Sequence, residues 1–422
     1  MARTLTPVDA HNIMNALVKQ ATGQQAITAV DTSSFVSAGE LVLATGVENT
    51  LNALSMVIGR TLMAVRPYRA KLMLINALNT NAYTTRLRKI SVYAKDAIPA
   101  GDLNTNLYTN LYNGMGDVKQ TTPVENVGSM WEQNKPVVLE MNFGGRSAWD
   151  ESLTIYEDQL KIAFRSEADF NALVSGIMTA KENDIEFTKE AFNRMVVLNQ
   201  IAGRIALEGT KINGGAVNLT SAFNTRFGTS YTSAQLRTTY LTDFLAFFVS
   251  VFKQYSRKFE IPTVNHHWTP TKTVDGTQYT SLIRHTPRDR QKAFLYEPLF
   301  IDAEAQVMPK IFNPEYLNVD NYEGVMYWQA EGVGIDNAGI NVTPAIPDEN
   351  GQTTASDPVE IPYIVGILFD EDAMMVDYQL ESADSTPINA RHKYRNIWWH
   401  FWKNAINDFT ENAVVFYMAD ED

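Results

Sequence analysis

The sequence predicts a mixed α+β chain. Three observations carry that prediction: one very long amphipathic stripe, strand-like segments before it, and two aromatic-rich strand-like segments near the C-terminal end. The stripe runs from Ser166 to Glu208. Ser166 is a good N-cap, and Asp169 three residues on completes an S-x-x-D box that satisfies orphan backbone donors. Phe170, Leu173, Val174, Ile177 and Met178 follow at helical spacing. Ile185, Phe192, Met195, Val196 and Ala202 continue on the same side of the cylinder. Gly209 stands where glycine commonly ends a helix. One long helix is expected, with a kink near Asn183 or a pair of ordinary core helices as the plainer alternative. At 1.5 Å per residue it would span about 64 Å. A compact globule of this length has a diameter of roughly 57 Å, so the helix suggests a flattened or elongated subunit rather than an enzyme wrapped round a pocket.

The remaining elements follow in order. Residues 1–45 are dominated by small and polar residues and read as an unpacked arm, with Ile13, Leu17 and Val18 marking a short helix. Val47, Leu51, Leu54, Ile58 and Leu62 repeat at helical spacing. Leu72–Ile75 is a short buried segment, and Ile90–Ala94 alternates as a strand does. Residues 102–123 are rich in Asn, Thr, Tyr and Gly, with weak periodicity. Pro136–Asn142 and Ser152–Phe164 read as two strands joined through Gly144-Gly145-Arg146-Ser147, a projecting hairpin unable to bury itself alone. Leu236–Tyr255 is a second helix, and Asp275-Gly276 marks a tight hairpin. Residues 331–362 form a long Gly/Pro/Asp-rich loop. Val365–Phe369 is a buried strand, and Ile397–Trp402 and Val414–Tyr417 close the chain.

Composition narrows the function. With 45% hydrophobic and 20% charged residues the chain is an ordered protein, and its length allows two or three cores. It has no cysteine, which removes disulfides, zinc–thiolate sites, iron–sulfur clusters and thiol nucleophiles together and is compatible with a reducing cytoplasm. The N-terminal residues lack the apolar run of a secretory signal, and Leu245–Phe252 is too short to span a bilayer, so no membrane partner is expected. Two N-x-T sequences at Asn218 and Asn341 are read as accidental on that basis. Net charge is −13 but uneven: residues 1–120 carry +4, the rest −17. Between Arg60 and Lys95 lie eight basic residues (Arg60, Arg66, Arg69, Lys71, Arg86, Arg88, Lys89 and Lys95) and no acidic one. An acidic whole argues against sequence-specific nucleic-acid binding. The basic strip suits weak phosphate contact, an acidic patch on a neighbouring copy, or a merely solvated face.

No catalytic constellation emerges, and no cofactor or metal is implied. His266-His267 with His285 lacks metal-ligand spacing, because adjacent histidines on an extended chain face opposite ways. Asp370-Glu371-Asp372 lacks the spaced ligands and central glycine of a calcium loop. Gly332-Val333-Gly334 with Gly339 misses the dinucleotide fingerprint, and Gly144-Gly145-Arg146 is no phosphate loop. The tryptophans of 398–402 suit stacking on a sugar or base, or simple core and interface packing.

Order and spacing say more than any motif. Glu182-Asn183-Asp184-Ile185-Glu186 inside the long helix, Val365–Asp370, and the C-terminal Asn412-Ala413-Val414-Val415-Phe416 lie in a succession that covers nearly the whole chain. That succession resembles the major capsid proteins of tailed double-stranded DNA phages, with the Hong Kong 97-type fold. The resemblance implies an N-terminal arm (1–45), a first part of the peripheral P domain (46–83), and an extended E-loop (84–165). A spine helix with more P domain (166–235), an inserted axial A domain (236–388) and a C-terminal return to the P domain (389–422) complete it. It further implies a non-enzymatic subunit that self-assembles as hexamers and pentamers into an icosahedral shell around packaged double-stranded DNA. Such a subunit would assemble in the host cytoplasm and end in the virion, with weak non-specific DNA contact. A separate scaffolding protein, a portal protein and optional cement proteins are its implied partners. Arg60, Arg66, Arg69, Lys71, Arg86, Arg88 and Lys89 are the expected contacts with DNA or a neighbour, and Arg146 and Trp149 expected inter-subunit contacts. The alternatives are an encapsulin-like cargo shell and, from a different class, a carbohydrate-active or receptor-binding protein.

Overall fold

A computed structural model describes residues 7–24, 26–45, 72, 74–77, 86–93, 136–144, 147–156, 167–274, 277–280, 282–306, 321–348 and 353–420. The expected helix of 47–62 and the polar stretch 102–123 lie outside these residues. The chain divides into two units. The first comprises residues 1–71, 146–192 and 377–404, the second residues 72–145, 193–376 and 405–422.

The described helices are α1 (Pro7–Thr22), α2 (Thr32–Ala44), α3 (Glu167–Leu207), α4 (Leu219–Phe227), α5 (Ser233–Thr238), α6 (Leu241–Glu260) and α7 (Glu297–Gln306). The strands begin with β1 (Asn76–Ala77), β2 (Arg86–Val92), β3 (Val138–Gly144), β4 (Ser147–Tyr156), β5 (Ala216–Asn218) and β6 (Lys272–Val274). Next come β7 (Thr277–Tyr279), β8 (Gln291–Tyr296), β9 (Asn321–Val325), β10 (Ile340–Val342), β11 (Ala345–Pro347) and β12 (Thr353–Ala355). The last are β13 (Val359–Ile361), β14 (Tyr363–Asp370), β15 (Met374–Ser385), β16 (Tyr394–Asn407) and β17 (Ala413–Met418). The long stripe is one unbroken helix of 41 residues, within one residue of its expected ends. Gly209 beyond it has φ +71°, the left-handed conformation that only glycine adopts without strain.

In the first unit the expected unpacked arm is instead a packed pair of helices, α1 and α2. Ala10, Met14, Leu17 and Val18 of α1 and Phe35, Ala38 and Val42 of α2 are buried in one apolar cluster. They share it with Phe170, Val174 and Ile185 of α3 and with Ile155, Ile397, Trp399 and Phe401 of the sheet. Asp31 starts α2: its carboxylate accepts the Ser34 N–H at 2.8 Å while the Ser34 hydroxyl serves the Asp31 N–H. The Ser34 hydroxyl also donates to the Asp31 carboxylate at 2.6 Å, and that bond, with the Ser34 N–H, holds the carboxyl below its ordinary range. Asn15 staples the connection, accepting from Ala29 N–H at 2.6 Å.

The sheet of this unit corrects the projecting-hairpin expectation. β4 does not pair with β3; it runs antiparallel to β16, Tyr156 opposite Tyr394 through Ser147 opposite Lys403. Successive residues on β16 alternate faces, so its aromatic run is split: Trp399 and Phe401 face the core while Trp398 is 37% exposed.

The second unit is built on a sheet of order β5-β17-β14-β8-β9. β14 lies antiparallel to both β17 and β8 and is buried at all eight positions. That is what a continuous apolar run with both faces covered requires. The apolar face of α6 packs here, with Phe248 edge-on to Phe416 at 5.7 Å. The expected helix 236–255 resolves into α5 and α6. Val274 pairs with Thr277, the register of the two-residue turn expected at Asp275-Gly276. Residues 331–362 are not structureless. They carry β10 paired with β13 and β11 with β12, and a Cβ on Gly334 would lie 2.3 Å from Gly339 Cα. Two backbones therefore cross where a dinucleotide loop was rejected.

Candidate assembly interface

β2 and β3 form a separate antiparallel ribbon in the second unit, from Arg86 opposite Gly144 to Val92 opposite Val138. Side chains alternate along each strand, so the ribbon has two unlike faces. On its open face stand Arg88, Ile90 and Val92 beside Val138, Glu140 and Asn142, all exposed. Ile90 is 56% and Val92 55% exposed, on a strand pair whose other face is packed. Arg88 Nη2 donates to Glu140 Oε2 at 2.7 Å and holds that carboxyl below its usual range.

The covered face mixes polar and apolar side chains, with Lys89, Ser91 and Tyr93 beside Val137, Leu139, Met141 and Phe143. The Lys89 ammonium lies between the carboxylates of Asp408 and Glu411. Ser91 Oγ accepts from Arg284 Nη2 at 2.6 Å, and the Tyr93 hydroxyl donates to Pro270 O at 2.6 Å. Lys272 Nζ donates to Val138 O. Beneath, Arg284 Nε is 3.3 Å from Glu411 Oε1 and donates to Thr410 O at 3.0 Å. Arg204, fully buried, donates to His266 O at 2.7 Å and Glu411 O at 2.6 Å. Burial pushes its guanidinium down to about 9 against the pull of Asp408, Glu411 and Glu208. Burial likewise raises the Glu411 carboxyl, which Lys89 and Arg284 oppose.

The structure places the expected contact residues in different settings. Arg60, Arg66, Arg69, Lys71 and Arg146 lie outside the described residues. Arg86 opens β2 at the edge of the ribbon, Arg88 is on its open face, and Lys89 is turned onto its own chain. Trp149 belongs to the first unit, where it stacks on Phe401 at 4.6 Å and meets Tyr378 edge-on at 6.1 Å. Arg88 and Lys89 thus stand on opposite faces of one ribbon. Asp408, Glu411, Arg284 and Arg204 were not singled out from sequence. One signal was available: Arg88 and Lys89 are adjacent on a strand, so one of two cations had to face inward and find carboxylates.

The other candidate groups are absorbed in the fold. His266 Nδ1 is 2.7 Å from Gly214 O, and His267 Nε2 is 2.7 Å from Leu282 O. Burial pushes the His267 imidazole down to about 4. Asp370 accepts the Thr286 hydroxyl at 2.7 Å, and Arg290 pairs with Glu371 and Asp372. Among the described residues no three His, Asp or Glu side chains stand close enough to hold a metal ion, and no helix is long and apolar enough to cross a membrane.

The ribbon is thus tied by ion pairs on one face and exposes Ile90, Val92 and Val138 on the other. The chain belongs to the Phi29-like phage major capsid protein family, whose model matches residues 88–417. No curated protein matches the sequence. Among solved structures the chain is similar to the capsid of Staphylococcus phage Andhra, at 11% identity and a TM-score of 0.47, over 85% of this chain and 86% of that one. It is also similar to the capsid of cyanophage P-SCSP1u, at 10% identity and TM-score 0.41, over 85% and 90% of the two chains. For the capsid of Myoviridae phage XM1 the figures are 9%, 0.38, and 84% and 94%. The family assignment rests on the family model.

Proposed function

We propose that this major capsid protein assembles as hexamers and pentamers into an icosahedral shell around packaged double-stranded DNA, and that the open face of the β2–β3 ribbon is one of its inter-subunit contacts. The carrying observation is the exposure of Ile90, Val92 and Val138 together on one ribbon face. Apolar strips of this kind on a paired strand mark interaction sites. Arg88 and Glu140 flank the strip and would set its register against a neighbour. The basic residues Arg60, Arg66, Arg69, Lys71, Arg86 and Arg146 are assigned to weak contact with DNA or an adjacent copy. Trp149, half-buried in its own unit, is assigned to contact between subunits. The reading includes a non-enzymatic role, a separate scaffolding protein, a portal, cement proteins where the shell is decorated, and assembly in the host cytoplasm.

The test is sedimentation of the full chain with its scaffold, followed by electron microscopy of the fastest fraction. Wild type should give closed shells or rings of five and six. A wild type that stays small at every concentration sinks the shell reading. The double variant Ile90→Asp, Val92→Asp should remain small while melting within about 0.5 kcal/mol of wild type, as exposed substitutions do. Wild-type shells from that variant would remove the ribbon face from the interface.

A further inference from the structure

We infer that Lys89 is a positioning residue: its ion pairs with Asp408 and Glu411 fix the pose in which the β2–β3 ribbon lies on its own subunit. They thereby set where the open face is presented, an inference that rests on the reading of that face as a contact. Apolar contact is non-directional and tolerates sliding; the covered face carries Leu139, Met141 and Phe143 beside its polar groups, so its directional polar bonds are what single out one pose. Lys89, Ser91 and Tyr93, at alternate positions, reach three separate places: the 408–411 loop, Arg284 and Pro270. Of these Lys89 is the one that forms ion pairs. The Asp408 side chain is fully buried and that of Glu411 nearly so, at 0% and 12% exposure. If the ribbon shifted or lifted, two buried carboxylates would lose their shared cation and retain Arg284 and Arg204, which are already engaged with Thr410, Glu411 and His266. Asp408 is held in place independently, accepting the Thr410 N–H at 2.8 Å and the Thr410 hydroxyl at 2.7 Å. The receiving site is therefore built whether or not the lysine arrives, and the lysine selects one register of the ribbon on it.

Hydrogen exchange on the full-length protein tests this, comparing wild type with Lys89→Met and Lys89→Arg. In Lys89→Met the amides of 86–93 and 137–144 should exchange at least about tenfold faster while those of β14 and β17 keep their rates. Lys89→Arg should restore most of the protection. Unchanged ribbon exchange overturns the inference, and so does an equal acceleration of β14 and β17, which would make Lys89 a general stability residue. Should Lys89→Met fail to fold, Glu411→Gln keeps the shape of the site and should produce a smaller acceleration confined to the same amides. This readout needs no assembly, so a wild type that never forms shells would defeat the shell reading while leaving the exchange result to stand or fall alone.

Discussion

The second unit contains two antiparallel strand pairs of opposite character. β14 with β17 is sealed: every residue of β14 is buried, and its cross-strand partners run from Met418 and Tyr417 through Phe416, Val415 and Val414 to Ala413. β2 with β3 is attached on one face by a lysine and a serine set among Leu139, Met141 and Phe143, and its other face is exposed. The same ladder of backbone bonds serves both, so the ladder cannot be what distinguishes fold from contact. The side chains do. Apolar burial on both faces makes a pair indispensable to the subunit, whereas polar attachment on one face leaves the other face available to something else.

Substitutions should separate the two pairs by size of effect. Leu368→Ala in β14 removes a fully buried side chain and should cost about 2–5 kcal/mol. A denaturant titration would read this directly, and a loss below about 1 kcal/mol would break the distinction. Acid should strike the sealed part next. Burial holds His267 down to about 4 whereas the unfolded chain binds its proton near 6.5. Between those pH values the unfolded state carries more protons, so stability falls as pH drops from about 6.5 to about 4, by on the order of 3 kcal/mol. Melting temperature against pH should show that slope, and His267→Gln should flatten it. The smallest effect belongs to the ribbon's open face. Both partners of the Arg88–Glu140 pair are well exposed, and a double-mutant cycle should give only a small interaction that fades with salt.

Much of this architecture was legible in the sequence, and the failures have physical reasons. The long helix was read to within one residue and β14 to within two at each end because their apolar patterns are long and unmixed. Asp275-Gly276 gave its hairpin because turn chemistry is local. Ile13, Leu17 and Val18 marked α1, but α2 and the packing of the pair were missed because α2 uses small residues. Phe35, Ala38, Gly39 and Val42 do repeat at helical spacing, but Ala and Gly carry little hydrophobic signal. The partner of β4 was misread for another reason: alternation tells which face a strand buries and is silent about its neighbour. β4 pairs with a strand almost 250 residues away. The candidate contact was half legible. The basic strip was seen, but Asp408 and Glu411 lie more than 300 residues from Lys89 and nothing local announces them.

The two-faced alternation of β2 also bears on how the gene can vary. Positions 88, 90 and 92 answer to whatever lies outside the subunit and are free to drift with it. Positions 89 and 91 answer to codons for residues 408, 411 and 284 and should change only in concert with them. Inserting or deleting one residue within β2 would exchange the two sets at a stroke, sending lysine outward and isoleucine onto a pair of carboxylates. Indels in this strand should therefore be far rarer among viable variants than substitutions at its outward positions.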